Sequence, residues 1–118
     1  MAESTERIIE VMQELIDAHR LARDTLGANE EVLVAGLEAI RSGAGVVETL
    51  EAAPANAQRR ATQEMLERLV AARHQFRLYL IGACIDAGMS PREIAADWGI
   101  SRQRVDQFVQ EFKRVVAD

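Results

Sequence analysis

Arg102, Gln103 and Gln107 stand close together in the stretch "GISRQRVDQFV", and their side chains have the chemistry of base-edge readers. An arginine presents two parallel donors that match the two acceptors of guanine, and a glutamine joins donor to acceptor and so matches adenine. Gln110 belongs to the same polar surface, as does Asp106, whose carboxylate can accept a bond from cytosine. Around them Arg92, Arg104, Lys113 and Arg114 supply positive charge for phosphates, and Ser101 with the amides of a helix start adds neutral donors.

Other chemistries lack their parts. Cys84 is the single cysteine, so no intramolecular disulfide forms, and its apolar setting "LYLIGACI" reads as a packed thiol rather than a nucleophile. His19 and His74 fall on different predicted helices with no short ligand spacing, too few donors for a metal or a triad. His19 reads as a packing residue at a helix contact. The glycines of "RSGAG" have neither the spacing nor the preceding strand of a phosphate loop. A non-enzyme is expected, with no cofactor and no metal.

For the polar residues to act together they must share one face of one helix, and the flanking sequence supplies the frame. Ser90 is the expected cap of a short helix, Pro91 suits its first position, and "SPRE" has capping-box spacing with Glu93. Ile94, Ala95 and Trp98 point inward, Gly99 gives the permissive turn residue, Ile100 plugs the corner, and Ser101 caps the next helix. In that helix, about 102–116, Val105, Phe108, Val109 and Phe112 form the buried side. A small residue four before the turn glycine, apolar residues on both sides of it, and apolar residues six and nine beyond it make the pattern of a DNA-binding helix-turn-helix. Ala95, Trp98, Gly99, Ile100, Val105 and Phe108 fill all six places.

On these residues "GISRQRVDQFV" is similar to the turn and recognition helix of region four of bacterial primary sigma factors. Residues 73–116 resemble that trihelical corner, and also small actinobacterial helix-turn-helix regulators in which a long helix leads into it. The resemblance covers about a third of the chain. It implies base contacts by Arg102, Gln103 and Gln107, and phosphate contacts by Ser101 and Arg104. Asp106 stands where a basic residue is common in that family, and the tail "KRVVAD" is less basic than the sigma tail, which implies weak, salt-sensitive nonspecific affinity. No segment resembles the promoter-melting or core-binding parts of a sigma factor.

Upstream, few prolines and glycines and many Ala, Leu, Glu, Arg and Gln residues predict an all-α chain, of one small domain's length. A first helix is expected from residue 4 to about 26, with Ser4 and Thr5 as caps and Gly27 as its stop. Its heptad seam is Ile8, Met12, Leu15, His19, Ala22 and Leu26. Asn29 would cap a second helix with Leu33, Leu37, Ile40 and Val47 on one face and Gly36, Ala39 and Gly43 on the next stripe, broken at "RSGAG". Pro54 marks the next boundary. A long central helix, about 57–87, then carries the seam Met65, Leu69, Ala72, Phe76, Tyr79 and Ala83 and ends at Gly88. The expected architecture is an N-terminal helical hairpin and a long central helix leading into a C-terminal trihelical helix-turn-helix. Residues 1–72 would serve dimerisation or interaction and residues 73–118 DNA binding, sharing the long helix.

Charge divides the chain in the same sense. Residues 1–53 hold 4 basic and 11 acidic side chains, net −7, whereas residues 54–118 hold 10 basic and 8 acidic, net +2. Only the second half is fit to approach phosphates. The acidic opening "MAESTERIIE" has no apolar signal region and no run is long enough to span a bilayer, so a cytoplasmic, nucleoid-associated address is expected.

The composite expectation is a sequence-specific regulator binding double-stranded DNA as a homodimer, because one weakly basic corner gains affinity and specificity by doubling. The alternative is a protein-interaction module of the transcription machinery or another assembly, using the acidic N-terminal helices without specific DNA binding. A small-molecule effector between the N-terminal helices is not required, since packed core accounts for the seams.

Overall fold

A computed structural model describes the backbone of residues 2–117 and the side chains of residues 5–117. The described residues form five helices, α1 (Ala2–Arg41), α2 (Val46–Ala52), α3 (Ala55–Asp86), α4 (Pro91–Trp98) and α5 (Arg102–Ala117). The all-α expectation holds. The expected break inside the first 41 residues does not: the N-terminal helical hairpin is replaced by the single 40-residue α1.

Two sequence signals gave way there. Gly27 lies inside α1, where a glycine costs roughly 1 kcal/mol relative to alanine, and packing on either side of it outweighs that cost. The seam that faces inward is Ile8, Val11, Leu15, Ala18, Ala22, Thr25, Asn29, Val32, Gly36 and Ala39, buried or half-buried at alternating steps of three and four straight through Gly27. The expected seam shares Ile8, Leu15 and Ala22 with it, but Met12, His19 and Leu26 are exposed, and Val11, Ala18 and Thr25 take their places. Smaller side chains win the inner positions because they let helix backbones approach. Asn29 caps nothing. Its amide donates to Thr62 Oγ1 at 2.9 Å and its carbonyl oxygen accepts from Gln58 Nε2 at 3.3 Å, tying α1 to α3. Thr5 is a helical residue of α1 rather than a cap, and the side chain of Ser4 lies outside the described residues.

Glycine does end α1 and α3. Gly43 (φ 102°) and Gly88 (φ 94°) adopt left-handed backbone, and the residues after them donate back five positions, Ala44 N to Ala39 O and Met89 N to Cys84 O, each 3.0 Å. The short α2 is followed by extended Ala53, as the residue before proline prefers.

The chain divides into two compact units. One comprises residues 16–70, and the other comprises residues up to Leu15 together with Ala71 onward. In the first, Ala18, Ala22 and Met65 are buried, while Leu26, Leu33, Leu37, Leu50, Leu66 and Val70 are exposed. In the second, Leu78 and Ile81 of α3, Ile94 of α4, and Val105 and Phe108 of α5 make a closed core. Cys84, Ile85, Met89, Trp98, Ile100 and Phe112 pack around it. The expected α3 seam is covered in part, with Met65 and Ala72 buried and Leu69, Phe76, Tyr79 and Ala83 half-buried, but the fully buried residues of its last turns, Leu78 and Ile81, lie off that seam.

Candidate nucleic-acid interface

The corner between α4 and α5 is set by local chemistry. Ser90 Oγ accepts from Glu93 N at 3.1 Å and donates to the Glu93 carboxylate at 3.2 Å, so the capping box closes through side chains rather than back to the Ser90 amide. Gly99 takes φ 66° and ψ 32°, left-handed backbone that a β-carbon would strain. The amides of Gly99 and Ile100 both donate to Ala95 O. Ser101 Oγ accepts from Arg104 N at 3.0 Å and so caps α5. Three residues thus join two capped helices at a fixed angle.

What holds α5 is its inner side. Val105 is fully buried and Phe108 nearly so, each side chain contributing about 1.5–3 kcal/mol of burial. Phe112 meets Tyr79 edge-on with centroids 5.7 Å apart. It also lies directly over Gly82, where an added β-carbon would collide with its ring. His74 stacks on Phe108 with centroids 5.4 Å apart, and its Nε2 is 2.5 Å from a carboxylate oxygen of Glu111. This α3 to α5 lock was not read from the sequence, since 37 residues separate His74 from Glu111 and neither lies in a recognisable pattern.

The outer side collects every expected contact residue of α5. Ser101, Arg102, Gln103, Arg104, Asp106, Gln107, Gln110, Lys113 and Arg114 are all exposed, as is Arg92 on α4. Gln103, Gln107, Gln110 and Arg114 follow one another at steps of four, three and four, and so form one ridge opposite Val105, Phe108 and Phe112. Arg102 and Asp106 flank the ridge on one side and Arg104 on the other. Lys113 and Arg114 sit roughly 17 Å along the axis from the helix tip, beyond the few bases a helix end can reach.

Arg104 differs from its companions. Its guanidinium lies over the Phe108 ring, 4.4 Å from the centroid, and donates to Gln107 Oε1 at 3.3 Å. The first contact sets the direction of the side chain and the second takes one of the two lone pairs of Gln107 Oε1.

Cys84 is half-buried beside this core. Burial pushes its thiol above the ordinary range, and the nearby Asp97 charge adds to the shift. Arg7 lies over the Tyr79 ring, 5.0 Å from the centroid, and is held above the ordinary arginine value by hydrogen bonding to Tyr79 and then to Glu10. Among the described residues no group of three or more His, Cys, Asp or Glu side chains is placed to hold a metal ion. Nor is any helix among them long and apolar enough to cross a membrane. Comparison with models of protein families finds no match, and comparisons with curated proteins and with solved structures find none either.

Proposed function

We propose that the chain is a non-enzymatic, sequence-specific DNA-binding regulator. In this reading α4 and α5 form a helix-turn-helix and α5 enters the major groove. The observation that carries it is the division of α5 by face: Val105, Phe108 and Phe112 are held by the core, while Arg102, Gln103, Gln107 and Gln110 stand exposed on the other side. A merely solvated helix face needs no particular side chains, whereas these have the donor and acceptor sets of guanine and adenine readers. Ser101, Arg104 and Arg92 serve phosphates at the tip, and Lys113 and Arg114 serve them further along. Two copies acting on two half-sites supply the affinity that one weakly basic corner lacks.

Arg102→Ala and Gln107→Ala test this at single-residue resolution. Each should cost about 1–3 kcal/mol of specific DNA affinity with the helical circular dichroism signal unchanged. Equal affinity of both variants and the parent for the selected site would remove α5 as the reading element.

One observation favours a second reading, a protein-interaction module. Glu10, Asp17, Asp24, Glu31 and Glu38 recur at every seventh position of α1 and so line one stripe, exposed except for half-buried Asp17. Such a stripe suits a basic protein partner. Replacing these residues by Gln and Asn discriminates the readings: nonspecific DNA affinity rises in the first, because a repulsive field is removed, and assembly is lost in the second.

A further inference from the structure

In the unit comprising residues 16–70, α1 carries a second heptad stripe, one residue out of phase with the seam that is buried. Ile16, His19, Arg23, Leu26, Glu30 and Leu33 alternate at steps of three and four, and Leu37 and Ile40 continue it. Leu33 is 74% exposed, Leu26 55% and Ile16 43%. A leucine left three-quarters in water on such a stripe gains little from burial within its own unit. The stripe borders an open groove of about 1110 Å³ lined by Leu33, Leu37 and Ile40 from α1, Leu50 from α2, and Arg59 and Gln63 from α3. On α3 the exposed Leu66 and Val70 follow Gln63 at helical spacing. The result is one face on this unit with exposed apolar side chains toward its ends and His19, Arg23 and Glu30 among them on α1, more apolar than singly scattered surface leucines would make it.

We infer that this face is covered by a second copy of the chain, with the two α1 helices running antiparallel about a two-fold axis between Asp24 and Thr25. The register follows from the order of residues. Around that axis Ile16 faces Leu33 of the other copy, His19 faces Glu30, and Arg23 faces Leu26, each layer occurring twice by symmetry. The apolar ends meet apolar ends. The Glu30 carboxylate receives His19, with Arg23 in the neighbouring layer, its stem lying on Leu26 and its guanidinium turned toward the same carboxylate.

Competing arrangements are worse on the same residues. Moving the axis to residue 28 sets Glu30 on Leu26, Arg23 on Leu33 and His19 on Leu37, so no pair across the axis joins opposite charges. A parallel pairing sets Glu30 on Glu30 and Arg23 on Arg23. Among these arrangements the stripe is self-complementary in the one with its axis between Asp24 and Thr25. This inference identifies the surface used by the two-copy assembly proposed above, and it does not depend on DNA binding.

Cross-linking of the full-length chain tests both the surface and the register. In a Cys84→Ala background, Ile16→Cys and Leu33→Cys proteins are oxidised separately and as a mixture, with light scattering of the parent in parallel. The mixture should cross-link, and each variant alone should not, because like positions lie 17 residues apart along the pair, about 25 Å. Leu33→Glu should leave the helical signal intact and raise the dimer dissociation constant tenfold or more. Glu30→Arg should weaken the dimer, and Glu30→Arg with His19→Glu should restore it. A parent dimer that cross-links in no mixture, or equally in each variant alone, overturns the assigned surface and leaves two-copy assembly standing. A parent that is monomeric at tens of micromolar overturns both.

Discussion

Arg104 illustrates how one side chain can constrain its neighbours on the exposed face of α5. Held over Phe108 and bonded to Gln107 Oε1 at 3.3 Å, it takes one of that oxygen's two lone pairs and narrows the directions from which Gln107 can accept a second bond. An exposed bond of this length contributes on the order of 0.5 kcal/mol, which a phosphate contact by the released arginine readily offsets. Under the proposed function Arg104 would exchange Gln107 for a phosphate on binding DNA. Cys84 gives a prediction free of any DNA assumption. Burial, with Asp97 adding, raises its pKa, so at any given pH less of it is thiolate than in a small free thiol. Alkylation by iodoacetamide at pH 7 should be slower than that of glutathione, and should accelerate as the pH rises toward the raised value. Reaction at or above the glutathione rate would contradict the burial seen here.

Among the helices, glycine separates positions that the sequence could not tell apart. Gly27 has nothing within 4 Å of where a β-carbon would lie and sits in helical backbone, so Gly27→Ala should stabilise the chain by about 0.5–1 kcal/mol in urea unfolding. Gly82 supports the Phe112 ring. Gly82→Ala should cost about 1–3 kcal/mol and loosen α5, seen as lower stability and, under the proposed function, as weaker DNA binding. The sequence made α3, α4 and α5 legible, because Pro54, Gly88, Ser90, Gly99 and Ser101 are strong local signals and the structure obeys each. The ten candidate contact residues were legible as exposed positions for the same reason. The first 41 residues were not. Gly27 and Asn29 mimic a helix end, yet a continuous inner seam of small residues and the Asn29 bonds to Thr62 and Gln58 are tertiary facts that no local signal carries. His74 and Glu111 were invisible for a similar reason, since their meeting depends on how α5 lies on α3.

At the scale of the whole molecule, charge and symmetry set the terms on which the proposed function can work. With a formal net charge of −5, the chain has little nonspecific attraction for a phosphate backbone, so under the proposed function its affinity would come from base contacts doubled by a second copy. Binding should therefore show a large ratio of specific to nonspecific affinity and little retention on random DNA above about 0.2 M salt. The most direct measurement is selection of bound sequences from a random double-stranded pool at low salt, using the folded full-length chain. The proposed function predicts enrichment of a two-fold-related pair of half-sites with centres about 10–10.5 base pairs apart, or a multiple of that, and loss of the enrichment in Arg102→Ala. A pool that stays random, with the protein folded and α5 intact by circular dichroism, would contradict it.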